Sequence, residues 1–201
     1  MFTGIIESFG RVEEIINEGS NRTFRISSPI ANELKADQSV SHNGVCLTVT
    51  KTQAGNYWTT AIDETLSKSN LGDLTIGDRV NLERCMIANG RFDGHVVQGH
   101  VDQTGKIRSV VDANGSWLIE VEYDPSQGNV TVEKGSIAIN GVSLTCFNSK
   151  ADSFTVAIIP YTYEHTNFGT LKPGDVVNLE FDIIGKYVKR LYNQAIHPAH
   201  Q

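Results

Sequence analysis

A six-residue phrase, Asn43-Gly44-Val45-Cys46-Leu47-Thr48, returns 97 residues later as Asn140-Gly141-Val142-Ser143-Leu144-Thr145. The offset persists well beyond the phrase. Residues 39–83 align without a gap on 136–180, with Thr65 over Thr162, Asn70 over Asn167 and Gly-Asp-x-Val-Asn-Leu-Glu at both 77–83 and 174–180. Gly4 and Gly10 lie over Gly99 and Gly105 at an offset of 95. The 201-residue chain is therefore a tandem duplication, and it is expected to fold as two modules of roughly 90 residues, each able to bury a small core of its own. The divisions are residues 1–95, 96–184 and a tail, 185–201.

Within a module, short β-type runs alternate with turn chemistry. Gly10 to Ile16 and Thr23-Phe24-Arg25-Ile26 read as strands separated by a turn at 17–21, and Ser39 to His42 runs into Asn43-Gly44. Asn-Gly tolerates positive φ at both positions, so a hairpin turn is expected there, with Val45 to Thr50 leaving as the return strand. Asn56 to Ile62 and Val80 to Arg84 supply the last two strands. In the first half the only helix-like piece is Pro29 to Leu34. Many short strands and little helix mean a small β-barrel or sandwich, and closure into a barrel removes the edges that so short a sheet would expose. The tail is different: Tyr187, Val188, Leu191 and Ala195 fall on one face of a helix spanning 184–196, and an isolated helix of this length needs a partner for that face.

Several function classes are excluded early. A net charge of −6 with no basic stripe argues against a nucleic-acid backbone as partner. No apolar run approaches the roughly 18–20 residues of a membrane span, and Met1 to Ile6 is too short and uncharged for a signal peptide. Cys46, Cys85 and Cys146 form no paired framework, which suits a reducing, cytoplasmic compartment. No phosphate-binding or dinucleotide-binding glycine motif is present. His95 and His100 have no third metal ligand nearby in sequence.

Matched modules imply two similar small-molecule pockets, so the informative positions are those where the copies differ. Cys46 becomes Ser143, and His95 and His100 stand at the junction of the halves. Each also has a plain structural reading: a strand cysteine is commonly a packed small hydrophobe, and Ser or Thr after a turn commonly bonds the local backbone. An enzyme that handles two identical molecules in unequal roles needs this kind of broken symmetry.

Four separated motifs, Met1-Phe2-Thr3-Gly4-Ile5-Ile6-Glu7, Asn43 to Val49, Gly94-His95-Val96-Val97-Gln98-Gly99-His100-Val101-Asp102 and Lys134 to Thr145, resemble riboflavin synthase in order and spacing. The likeness spans nearly the whole chain. It implies an all-β fold of two homologous six-stranded Greek-key β-barrels in tandem plus a C-terminal α-helix through which three subunits associate. It also implies dismutation of two 6,7-dimethyl-8-ribityllumazine molecules to riboflavin and 5-amino-6-(D-ribitylamino)uracil, without cofactor or metal, and association with lumazine synthase. The C7 methyl is acidic because the ring delocalises the carbanion, so a modest base suffices. Holding two rings in register then supplies much of the acceleration.

By position, the resemblance places Thr3, Gly4, Ile5, Cys46, Leu47, Thr48, the run Thr60, Ala61, Ile62, Asp63, Glu64, Thr65, and Gly99, His100 and Val101 around the first pocket. Ser143, Leu144, Thr145 and the run Ile159, Pro160, Tyr161, Thr162, Tyr163, Glu164 line the second, with Lys134 reaching toward a neighbour's ligand. Ile6, His95 and Asn140 complete the substrate-binding set. His100 is the candidate proton shuttle, since imidazole titrates near working pH, with Ser143 and Thr145 relaying a proton at the second pocket. Cys46 either adds to the electrophilic ring or shapes its pocket. Two departures stand out: Asn140 where many family members carry aspartate, and Arg91-Phe92-Asp93 before Gly94 where a Gly-Gly pair is more usual. The competing expectations are a non-catalytic lumazine- or flavin-binding protein of the antenna type, and an unrelated oligosaccharide- or nucleic-acid-binding barrel.

Overall fold

The computed structural model describes residues 1–196, so residues 197–201 of the expected tail lie outside the described residues. The first half contributes β1 (Ser8–Glu18), β2 (Asn21–Ser27), β3 (Ser39–His42), β4 (Val45–Gln53), β5 (Asn56–Ala61) and β6 (Arg79–Arg84). The second repeats them as β7 (Gln103–Asp112), β8 (Trp117–Tyr123), β9 (Ser136–Ile139), β10 (Val142–Phe147), β11 (Ser153–Ile158) and β12 (Val176–Phe181). Each set closes. The order is β1-β2-β5-β4-β3-β6 with β6 back on β1, and β7-β8-β11-β10-β9-β12 with β12 back on β7, all pairs antiparallel. The meander β3-β4-β5 followed by the return of β6 beside β3 is a Greek key.

The repeated phrase is the β3–β4 hairpin and its twin. Asn43 and Gly44 have φ of 47° and 83°, and Asn140 and Gly141 have 46° and 80°, the paired positive values of a tight turn matched to strand twist. Each barrel then fills its interior with alternate residues. Val45, Leu47 and Val49 of β4 point inward, while Cys46 and Thr48 point out. Gly10 and Gly105 keep the barrels narrow: a Cβ at Gly10 would lie 2.6 Å from the Ile26 side chain, and one at Gly105 2.7 Å from Leu179.

Six asparagines join the barrels about a pseudo-twofold axis. Asn178 donates its side-chain amide to the Asn43 carbonyl at 2.8 Å, and Asn81 donates to the Asn140 carbonyl at 3.0 Å. The Asn70 N–H donates to Asn178 Oδ1 at 2.6 Å, as the Asn167 N–H does to Asn81 Oδ1 at 2.8 Å. Asn43, Asn81, Asn140 and Asn178 are buried, so each of these amides needs the partner that the other barrel supplies. Gly44 and Gly141 pack backbone to backbone between them, with no room for a Cβ on either.

The helical content exceeds the sequence expectation. Pro29–Glu33 forms a single 3-10 stretch, as its proline predicted, but Asp63–Lys68 (α1) and Asn70–Asp73 are also helical, and α2 (Pro160–His165) repeats α1. At six residues α1 is too short to display an apolar period. Its signals are local: Asp63 and Glu64 in the first turn and Lys68 in the last, each favourable to the helix dipole. The C-terminal helix, α3 (Ile183–Ile196), is where the sequence put it. Ile184, Tyr187, Val188 and Leu191 are all more than 60% exposed on it.

Candidate functional site

The site is built by two buried carboxylates that the repeat places at the ends of β6 and β12. Glu83 accepts the Thr3 N–H at 2.7 Å, the Thr3 hydroxyl at 2.9 Å and the Gly4 N–H at 3.0 Å. Glu180 accepts the N–H groups of Gln98, Gly99 and His100 at 2.6, 2.9 and 2.9 Å. Burial pushes both carboxyls up from their ordinary range, and these donors pull them back. The captured segments then cross over. The Gly99 carbonyl accepts the Cys46 N–H of the first barrel at 2.8 Å, and the Gly4 carbonyl accepts the Ser143 N–H of the second at 2.8 Å.

Glycine is required at both crossings. Gly4 and Gly99 have φ of 80° and 82°, and a Cβ would stand 2.6 Å from Ser143 Cβ and 2.5 Å from Cys46 Cβ. The crossing bears on one sequence assignment. Thr3-Gly4-Ile5 was placed at the first pocket, but the Gly4 backbone bonds Ser143 and Ile6 packs on the core of the second barrel. The segment before the second barrel, Gly99 to Val101, was placed at the first pocket and its backbone does bond Cys46 there, whereas Gly4 was given to its own barrel and bonds the other.

Between the outer wall of β4, helix α1 and the crossing segment lies a cavity of about 250 Å³. Cys46, Glu64, Thr65, Gly99, His100 and Val101, all singled out from sequence, line it together with Val45, Lys68 and Ser69. It sits outside the barrel, because the barrel interior is filled by the inward residues of the same strands. The 97- and 95-residue offsets carry this lining onto Val142, Ser143, Tyr161, Thr162, His165, Thr166, Gly4, Ile5 and Ile6. Around Ser143 one further contact appears: its hydroxyl is 2.6 Å from His95 Nδ1. His95 is nearly buried, which lowers its pKa below the usual 6.5 and favours the neutral ring, whose Nδ1 accepts from the serine in the tautomer that carries its proton on Nε2. Burial likewise raises the Cys46 thiol.

The remaining predicted residues take different places. Thr48 and Thr145 are exposed on the outer wall, whereas Leu47 and Leu144 pack on the cores. Ala61 is buried and the Thr60 hydroxyl is 2.8 Å from that of Thr23, while Ile62, Asp63, Ile159, Pro160 and Glu164 are exposed around α1 and α2. The Lys134 ammonium stands 5.5 Å from the centre of the Phe147 ring. Glu83 and Glu180 had been read only as strand residues of the repeat. Their recurrence at the end of the longest matched motif was the available signal.

Lumazine binding domain models match the chain twice, over residues 3–85 and 98–182. Curated riboflavin synthases are similar over almost the whole chain: that of Actinobacillus pleuropneumoniae is 41% identical over 94% of this chain and 89% of its own. The Bacillus subtilis protein is 41% identical over 97% and 91%, respectively. The chain belongs to the riboflavin synthase family. Among solved structures, LumP complexed with riboflavin superposes with a TM-score of 0.83 at 22% identity, covering 90% of this chain and 99% of that one, a likeness of fold.

The two departures from the family pattern acquire places. Asn140 is buried at the barrel interface, where Oδ1 accepts the Asn178 N–H at 2.8 Å and Nδ2 lies 3.5 Å from Asn167 Oδ1, a donor that aspartate lacks. In the 91–94 stretch Gly94 is sterically constrained, since a Cβ there would clash with the Thr3 carbonyl. Arg91 and Asp93 face solvent and pair with each other at 3.1 Å.

Proposed function

We propose that the chain catalyses the riboflavin synthase reaction, transfer of a four-carbon unit between two molecules of 6,7-dimethyl-8-ribityllumazine to give riboflavin and 5-amino-6-(D-ribitylamino)uracil. The observation that carries it is a pair of sites with one backbone frame and unequal chemistry. Cys46 and His100 stand at one, and the Ser143–His95 pair stands at the other. The proton acceptor this reaction needs at the C7 methyl group is supplied by Ser143, whose own hydroxyl proton passes to neutral His95. His100, exposed at the first pocket with its backbone pinned by Glu180, exchanges protons with solvent. Cys46, held as a thiol by burial, shapes the first pocket. The family match over 3–85 and 98–182 supports dividing the chain as 1–95, 96–184 and 185–201.

A working site joins the first pocket of one chain to the second of a neighbour in a trimer, held by α3 and reached by Lys134. The exposed apolar side chains of α3 support this assembly. A cytoplasmic location is part of the proposal, supported by three free thiols, and association with lumazine synthase rests on the family resemblance alone. The experiment is direct: purified protein is incubated with the lumazine and riboflavin absorbance is followed. Riboflavin formation is expected. Tight binding without product would instead make the protein an antenna-type binder.

A further inference from the structure

Resting on lumazine binding as just proposed, we infer that the mouths of the two pockets recognise different parts of the same ligand, with Glu64 and Lys68 gripping its polyol chain at the first and Tyr161 and His165 stacking on its ring at the second. The argument begins from register. Helices α1 and α2 occupy the same place in the two barrels, and Ser69 and Thr166 bond the carbonyls of Thr65 and Thr162 at the same 2.6 Å. Position for position, the helices present different chemistry on this shared frame.

Glu64 and Lys68 line the first pocket and form an i,i+4 ion pair at 2.9 Å. Both are more than half exposed, so the pair contributes little to stability and either partner is free to exchange for a ligand. A carboxylate accepts from hydroxyl groups and an ammonium donates to them, which is what a ribityl chain offers. At the second pocket these positions are Tyr161 and His165, stacked with ring centres 4.1 Å apart and planes 14° from parallel. Tyr161 is 68% exposed, so the stack is open to a further planar ring. The change extends beneath the helix: Leu66 becomes Tyr163, and strand pairing matches Arg22, opposite Ala61, with Trp117, opposite Ile158. Trp117 and Tyr163 stack at 3.7 Å and 9°, holding α2 from behind. Four equivalent positions thus shift together from charged or aliphatic to aromatic.

The test compares 6,7-dimethyl-8-ribityllumazine with 6,7,8-trimethyllumazine, which keeps the ring and lacks the polyol, by fluorescence titration of the full-length protein. The parent is expected to show two classes of site for the first compound. Removing the polyol should weaken one class by about tenfold or more, the size of a lost charge-assisted hydrogen-bond set, and leave the other within about threefold. In the double variant Tyr161→Glu, His165→Lys both classes should become sensitive to loss of the polyol. In Glu64→Tyr, Lys68→His neither should. Tyr161→Phe keeps the ring and should leave the second class insensitive to loss of the polyol, which separates stacking from misfolding. Equal sensitivity of the two parental sites, or an unchanged pattern in the double variants, would overturn the inference while leaving lumazine binding intact. A parent that binds neither compound would overturn the functional reading and this inference with it.

Discussion

His42 Nε2 lies 2.7 Å from the Tyr57 hydroxyl in the sealed interior of the first barrel, at positions that the second barrel fills with Ile139 and Phe154. The other ring nitrogen, Nδ1, faces the Val40 carbonyl at 3.0 Å and so carries the proton, leaving Nε2 to accept from the tyrosine. Burial lowers the histidine from 6.5 to about 4. The unfolded chain therefore binds a proton between those values and the folded chain does not. Stability from this group is complete above pH 6.5 and falls as the pH drops toward 4, by about 3 kcal/mol in all. The double variant His42→Ile, Tyr57→Phe, which installs the second barrel's own solution, should unfold in denaturant with a midpoint that depends less steeply on pH over that window, the lowered His95 keeping its own share of the slope. An unchanged slope would assign the acid sensitivity to other groups.

Glu180→Gln should act on the first pocket without touching it. The amide replaces one acceptor oxygen with a donor, so at least one of the N–H groups of Gln98, Gly99 and His100 loses its partner. Faster amide exchange at residues 98–100 and a fall in kcat/KM of about tenfold are expected. Glu83→Gln should loosen residues 3–4, and hence the second pocket, while leaving 98–100 protected. Exchange that rises at both segments in either variant would mean the carboxylates act through general stability.

How much of this was legible in the sequence depends on range. The Asn-Gly hairpins, the duplicated barrels and α3 were legible because turn chemistry, exact repetition and helical periodicity are local properties. The crossing of Gly4 to Ser143 was not, because nothing local says which barrel a flanking segment will serve, and Gly99 was set beside Cys46 only through the family resemblance. The same holds for Asn140, whose amide is occupied at the barrel interface by residues 27 and 38 positions away. Its side chain reads as turn chemistry until Asn167 and Asn178 are placed beside it.

If α3 holds the proposed trimer, removal of residues 186–201 should separate its subunits while sparing each barrel. Within the chain, α3 is tied back by Lys186 to Asp102 at 2.7 Å and by Lys189 to the Gly128 carbonyl, both polar contacts, while its apolar side chains remain exposed. Sedimentation is expected to show monomers, with thermal unfolding little changed and riboflavin formation reduced by at least about a hundredfold, as expected when two halves of a site are no longer held in register. A fully active monomer would refute a site shared between chains.

Ser143 and His95 should behave as one unit in turnover. In the proposed reaction the serine takes the substrate's proton and passes its own to the histidine, 2.6 Å away between Oγ and Nδ1, so removing either leaves the other without its task. Ser143→Ala and His95→Asn are each expected to lower kcat by roughly a hundredfold or more, and the double variant should be no slower than the worse single. Because burial holds His95 below 6.5, the acid limb of the kcat profile should lie below that pH in the parent and disappear in His95→Asn. A structural role alone would lower the rate across the whole profile and leave its shape intact. Additive losses in the double variant, with the acid limb retained, would separate the two residues and return the proton to His100.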